Sequence, residues 1–164
     1  MIKCLPNVMN TNLTTDPRKF PIPPAIPAAA LLLGWLLGKL WPLPLSLPHW
    51  ARWIEWPLFV IAPSLAIWAM VTFRRHKTVI DPRGQVTTIV SAGPYGFTRN
   101  PMYLALMLIY TAGALAIGNV WVALLIVPLF FALNNGVITR EETYLRSAFG
   151  IEYTDYMSRV RRWI

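Results

Sequence analysis

Apolar residues in this sequence fall in four near-continuous blocks, at about residues 24–41, 56–73, 101–117 and 120–138, with polar segments between them. A helix needs roughly 17 to 25 predominantly apolar residues to cross a bilayer, so each block reads as a membrane-spanning helix. The predicted fold is all-α: a polytopic membrane helix bundle of about four transmembrane helices with a C-terminal interfacial helical tail. Residues 1–23 are polar and Pro-rich, show neither helical nor strand period, and read as an N-terminal arm. Residues 24–164 form a single membrane domain with a loop at 74–100 and a tail at 139–164.

The blocks carry finer signals. Gly34 and Gly38 are four apart, a spacing that lets two helix backbones approach closely, either within this bundle or across a homodimer. Pro57 stands at the predicted start of the second span, where proline is tolerated, whereas Pro63 and Pro128 fall inside spans and predict kinks. In the loop, Asp81-Pro82-Arg83-Gly84 and Ser91-Ala92-Gly93-Pro94-Tyr95-Gly96 are turn signals framing a β-prone run, Val86 to Val90. After Ile138 a helix continues to Phe149, and Gly150 stops it. In a last helix Tyr153, Tyr156, Val160 and Trp163 recur at helical spacing opposite Arg159, Arg161 and Arg162, as in a helix lying among lipid headgroups.

Charge orients the bundle. Of 164 residues only 13% are charged, well below the roughly 25% of soluble domains. Lys3, Arg18 and Lys19 precede the first span; Arg74, Arg75, Lys77, Arg83 and Arg99 lie between the second and third; Arg140, Arg146, Arg159, Arg161 and Arg162 follow the fourth. Only Lys39 and Arg52 fall on the other side, so both termini, the 74–100 loop and the tail are predicted cytoplasmic. Trp41, Trp50, Trp53, Trp56 and Trp121 cluster at the opposite interface, as indoles do. The net charge of +8 suits anionic headgroups, and no aromatic-basic motif points to nucleic acid. One cysteine, Cys4, and two histidines on opposite sides, His49 and His76, argue against an internal disulfide or a structural metal site.

Candidate chemistry sits at the join Arg99-Asn100-Pro101-Met102-Tyr103 and at the pair Glu141-Glu142, because ionisable side chains beside membrane-spanning sequence are costly and mark function. Asn100 and Pro101 make a good helix start. The positive end of that helix attracts a ligand carboxylate, and Arg99 adds a clamp. Adjacent glutamates diverge by about 100° on a helix, so they take different roles. Glu142 is expected to pair with Arg146 one turn on, whereas Glu141 falls on the apolar line of Asn134, Ile138 and Leu145 and is the stronger site candidate.

From about Phe73 to Ile164 the chain resembles the integral-membrane methyltransferases that include isoprenylcysteine carboxyl methyltransferase and the phospholipid N-methyltransferases. The resemblance rests on Gly93-Pro94-Tyr95-Gly96, Arg99-Asn100-Pro101-Met102-Tyr103, Glu141-Glu142, Phe149-Gly150-Ile151-Glu152-Tyr153, Tyr156 and Val160-Arg161-Arg162-Trp163. The carboxyl methyltransferases of eukaryotes have histidine where this chain has Asn100. The resemblance implies an enzyme that binds S-adenosyl-L-methionine through Gly93, Tyr95, Arg99, Asn100, Pro101, Tyr103, Asn134, Glu141 and Tyr153, with Arg99, Glu141 and Glu142 acting in catalysis. It implies a lipophilic methyl acceptor among membrane lipids: a carboxylate, as in isoprenylcysteine O-methylation, or alternatively a phospholipid amine. Asn100 either contacts the donor or only caps the helix. Rival classes are an NADPH-dependent sterol or lipid reductase and a non-catalytic membrane scaffold. With no G-x-G-x-x-G fingerprint, a soluble-type dinucleotide fold is not expected.

Overall fold

The computed structural model describes residues 24–46, 48–76 and 88–164. The N-terminal arm, the Asp81–Gly84 turn signal and the start of the β-prone run lie outside the described residues. The end of that run, Thr88 to Val90, forms no strand, and β structure among the described residues is limited to an isolated antiparallel bridge between Pro44 and Asn119. The chain is otherwise helical: α1 Ala25–Leu40, α2 His49–His76, a 3-10 turn Gly93–Gly96, α3 Pro101–Ile117, α4 Val120–Phe149 and α5 Ile151–Arg159. α2 and α4 are long and apolar enough to cross a membrane, while α1 and α3 are shorter apolar helices of 16 and 17 residues.

α2 starts earlier than the apolar block. It begins at His49, directly after Pro48, so Pro57 stands inside it rather than at its first turn. The added turns carry the exposed indoles Trp50 and Trp53, which join that of Trp56. α3 makes its most extensive contact with α2, and both helices bury alanines, Ala62 and Ala69 on one and Ala105 and Ala112 on the other. Small side chains let apolar helices approach where lipid supplies little hydrophobic drive. The central cluster joins Tyr103, Tyr110 and Ala114 of α3 to Val122, Leu129, Leu133, Val137 and Ile138 of α4. Tyr110 is fully buried, and its hydroxyl is satisfied by donating to the Val122 carbonyl at 2.8 Å.

The turn between α3 and α4 meets the loop after α1. Leu45 N donates to Gly118 O at 2.8 Å, Val120 N to Leu43 O at 3.1 Å, and Trp121 Nε1 to Trp41 O at 2.9 Å. Asn119 caps α4 by accepting from Trp121 N at 2.8 Å. This "Gly118 end" lies opposite the "Arg99 end", where α2 and α4 finish and α3 begins.

α4 is not uniform. A turn at Leu125 separates α-helical Val120–Leu124 from Ile126–Phe131. Pro128 accounts for it: proline offers no N–H to the carbonyl four residues back, at Leu124, and its ring crowds that group. Ala132–Ile138 is then π-helical, with Thr139 N donating to Asn134 O, before α geometry returns at Thr139–Phe149. Each π turn holds one extra residue, which rotates everything beyond it by about 100° relative to a continuous α-helix.

The Gly34 and Gly38 face is filled from within the chain. A Cβ on Gly34 would lie 2.9 Å from the Val122 Cα, and one on Gly38 would overlap the Asn119 amide. Gly34→Val should therefore lower stability by about 1–3 kcal/mol through overpacking, read as a lower thermal midpoint in lipid nanodiscs. An unchanged midpoint would contradict this helix contact.

Candidate functional site

At the Arg99 end, three segments converge: the loop entering α3, the last turns of α4 and the C-terminal tail. Glu142 is at their centre and is only 4% exposed. Arg99 Nη1 lies 3.3 Å from its Oε1. Arg162 takes the carboxylate as a fork, Nε donating to Oε1 at 3.2 Å and Nη2 to Oε2, the planar geometry in which arginine is strongest. The expected partner Arg146 is elsewhere, donating to Met157 Sδ at 3.5 Å. Helical phase had favoured Glu141 as the inward residue, and that phase assumed a continuous α-helix through Asn134 and Ile138. The π segment shifts it, so Glu142 is the more buried of the pair.

Glu141 is half-buried, and its Oε1 accepts from Tyr103 Oη at 2.7 Å. The two glutamates thus have different company: two cations around one, a phenol on the other. Asn134, at the start of the π segment, accepts on Oδ1 from Arg162 Nη1 at 3.3 Å and from Trp163 Nε1 at 3.1 Å. Its amide donates to Asn135 Oδ1 at 2.8 Å.

Asn100 does not cap α3 with its side chain. Its Nδ2 donates instead to the Arg162 carbonyl at 3.0 Å, and Thr98 Oγ1 donates to the same oxygen at 3.2 Å. Arg99 N donates to Arg161 O at 2.9 Å. Backbone and side chains of residues 98–100 therefore clip the tail in place. That tail is also held by α5: its Tyr153 and Tyr156, with Val160 directly after it, pack with Ile89, Leu145, Phe149 and Met157. The apolar face expected among headgroups is thus buried in protein. The Tyr156 hydroxyl donates to Tyr95 O at 2.8 Å, tying α5 to the 3-10 turn. Gly93 opens that turn at φ 58°, where a Cβ would come within 3.0 Å of Thr72 Oγ1 on α2.

Of the residues singled out from sequence, Arg99, Asn100, Asn134 and Glu142 are linked directly or through Arg162, while Tyr103 and Glu141 form a separate hydrogen-bonded pair. Tyr95 and Tyr153 join them through α5, Pro101 is buried at the start of α3, and Gly93 packs against α2. Arg162, Trp163 and Thr98 were missed as site residues. Burial and then the Glu141 charge push the Tyr95 hydroxyl up to about 12. Burial and then Glu142 push that of Tyr153 to about 12 despite Arg99 beside it. Both stay protonated at neutral pH, so neither is a base, and the Tyr153 oxygen accepts from the Arg99 guanidinium.

Arg99 retains an unusual surplus. Its side chain is 10% exposed, and Nε and Nη1 are buried without a hydrogen-bond acceptor, Nη1 having only the ionic contact with Glu142. Buried donors are normally paired, so the guanidinium is open to a further anionic group.

A family model described as phospholipid methyltransferase matches residues 50–152, more than half of the chain. The chain belongs to the phospholipid methyltransferase family. Its resemblance to the membrane methyltransferases is thereby borne out, and the matched range holds Tyr95, Arg99, Tyr103 and both glutamates, while Arg162 lies beyond it. An uncharacterized protein of Haemophilus influenzae is 46% identical over 63 residues, which is 38% of this chain and the whole of that protein. Members of the phospholipid methyltransferase family are membrane-associated methyltransferases, in keeping with the apolar α2 and α4.

Glu142→Ala would leave Arg99 and Arg162 facing each other without their shared carboxylate and should cost about 3–5 kcal/mol of stability. Glu141→Ala removes one hydrogen bond to a carboxylate and should cost about 1.5–3 kcal/mol. Unfolding midpoints of both variants in nanodiscs test the ranking, which a smaller loss for Glu142→Ala would overturn.

Proposed function

We propose that this protein is an S-adenosylmethionine-dependent methyltransferase acting at the membrane on a lipid-borne amine. The observation that carries this reading is Arg99, buried beside Glu142 with two nitrogens lacking acceptors. The residues fit the donor's chemistry: the open guanidinium suits its carboxylate, and Oε2 of Glu141 suits its ribose hydroxyls. Tyr95, Tyr103 and Tyr153 supply aromatic surface for adenine. Asn100 acts through the tail, fixing the Arg162 carbonyl, rather than as a helix cap. When bound, the donor supplies a sulfonium methyl group to the acceptor.

Methyl transfer by in-line displacement needs alignment and exclusion of water more than covalent help. The clipped tail and the tyrosines supply both here. A lipid amine arrives as an ammonium and must lose a proton before its nitrogen lone pair can act. Glu141, whose described partner is a neutral phenol rather than a cation, is the carboxylate available to take that proton. The same uncompensated charge would repel a carboxylate acceptor, so we place phospholipid amine N-methylation ahead of isoprenylcysteine-type O-methylation. The reading includes four spanning helices, with the Arg99 end at the cytoplasmic face, supported by Arg74, Arg75, Arg140 and Arg146 at that end and the indoles at the other.

Calorimetric titration of the protein in nanodiscs should show binding of S-adenosylmethionine and none of NADPH. Arg99→Ala should weaken donor binding by about tenfold or more, the loss of a charge-assisted hydrogen-bond pair, with Tyr103→Phe milder. Binding of NADPH without the donor would favour the reductase class and overturn the proposal. Labelled methyl transfer into phosphatidylethanolamine, and not into a prenylcysteine analogue, is the expected acceptor result.

A further inference from the structure

The Gly118 end holds a second feature that the methyl-transfer reading does not use. A cavity of about 430 Å³ opens between α2 and α3, lined by Leu45, Ala51, Glu55, Trp56 and the run Leu115-Ala116-Ile117-Gly118. Three independent properties of this lining favour a cation. Glu55 is half-buried, and no described cation pairs with it, Lys39 being placed over the Trp35 ring at 5.4 Å from its centroid. Of the acidic residues among those described, Glu141, Glu142, Glu152 and Asp155 all lie on the last turns of α4 or on α5, so Glu55 stands alone here.

The run from Leu115 to Gly118 is the last turn of α3, where helix carbonyls lack intrahelical partners and carry the negative end of the helix dipole. The turn that follows satisfies Ala114 O through Gly118 N, while the loop N–H of Leu45 goes to Gly118 O. Among the described residues, no N–H of that turn or of the loop after α1 is directed to the carbonyls of Leu115, Ala116 or Ile117. Trp56 adds an indole face, the best aromatic partner for an alkylammonium group.

The depth of the cavity selects the source of that cation. Trp50, Trp53 and Trp56 are 63%, 79% and 71% exposed, and indoles of this kind settle at the headgroup level of a bilayer. We infer that the cavity is a binding site for the ammonium headgroup of a zwitterionic phospholipid, in the leaflet opposite the Arg99 cluster. It is separate from the site of methyl transfer and does not depend on that assignment. A phospholipid held there would anchor the α2 and α3 ends against each other.

Native mass spectrometry of the purified protein, delipidated and then exposed to equal amounts of phosphatidylcholine and phosphatidylglycerol, tests it. The wild type should retain phosphatidylcholine over phosphatidylglycerol by about fivefold, the scale of a desolvated cation held by a carboxylate and an indole. Glu55→Gln should bring the two lipids to parity while leaving S-adenosylmethionine titration unchanged. Ala116→Leu, which fills the cavity without touching charge, should do the same and guards against a folding defect in the first variant. Undiminished preference in both variants, or loss of preference in Glu141→Gln instead, would overturn the assignment. Retention of soluble choline as strongly as the lipid would also overturn it, by removing the membrane as the source.

Discussion

The site depends on one buried carboxylate shared by two arginines. Removing Glu142 from water costs several kcal/mol, which only close and well-formed pairing offsets. Arg99 comes from the loop entering α3 and Arg162 from the tail after α5, so the shared oxygen atoms join parts of the chain more than sixty residues apart. The remaining contacts serve that junction. Asn100 and Thr98 hold the Arg162 backbone, Asn134 steadies its guanidinium, and Tyr156 ties α5 to the 3-10 turn. Arg99 keeps Nε and Nη1 buried without a hydrogen-bond acceptor, Nη1 having only its ionic contact with Glu142.

The π segment of α4 makes the junction geometrically feasible. In a continuous α-helix, Glu141 would follow Asn134 and Ile138 along one face. The added residue per turn rotates the pair, so that Glu142 enters the protein and Glu141 meets Tyr103. Such segments recur at functional positions because they aim side chains that a regular helix cannot. Pro128 loosens the same helix one turn earlier, beyond the Val120–Leu124 segment that packs on α1, and the helix is regular again where it carries the glutamates. The two ends of the bundle are consequently different: one clipped by polar contacts, the other closed by a short bridge and a capped turn with a cavity beside them.

Much of the fold was legible in the sequence because long apolar helices announce themselves by length and apolarity alone. The ends of α1 and α3, the break at Gly150 and the turn at Gly118 all followed from local residue chemistry. α2 was underestimated because its first turns hold charge and tryptophan, which a hydropathy block excludes although a helix accommodates them. The residues of the site were mostly visible as ionisable groups beside apolar sequence. Their partners were not: a π turn has no composition of its own, and Asn100 meets Arg162 only through tertiary structure. A side chain that reads locally as a cap thus became a clip for the tail, and an arginine that read as headgroup-facing became half of the central pair.

The central claim is that Glu142 and Arg162 act as one unit in preparing Arg99 for the methyl donor. A double-mutant cycle of Glu142→Gln and Arg162→Gln, read as S-adenosylmethionine affinity in nanodiscs, tests it most directly. The account predicts strong non-additivity, with a coupling of about 1 kcal/mol or more, because the second substitution acts on an interaction already lost. Effects that add within about 0.3–0.5 kcal/mol, as for independent positions, would contradict it.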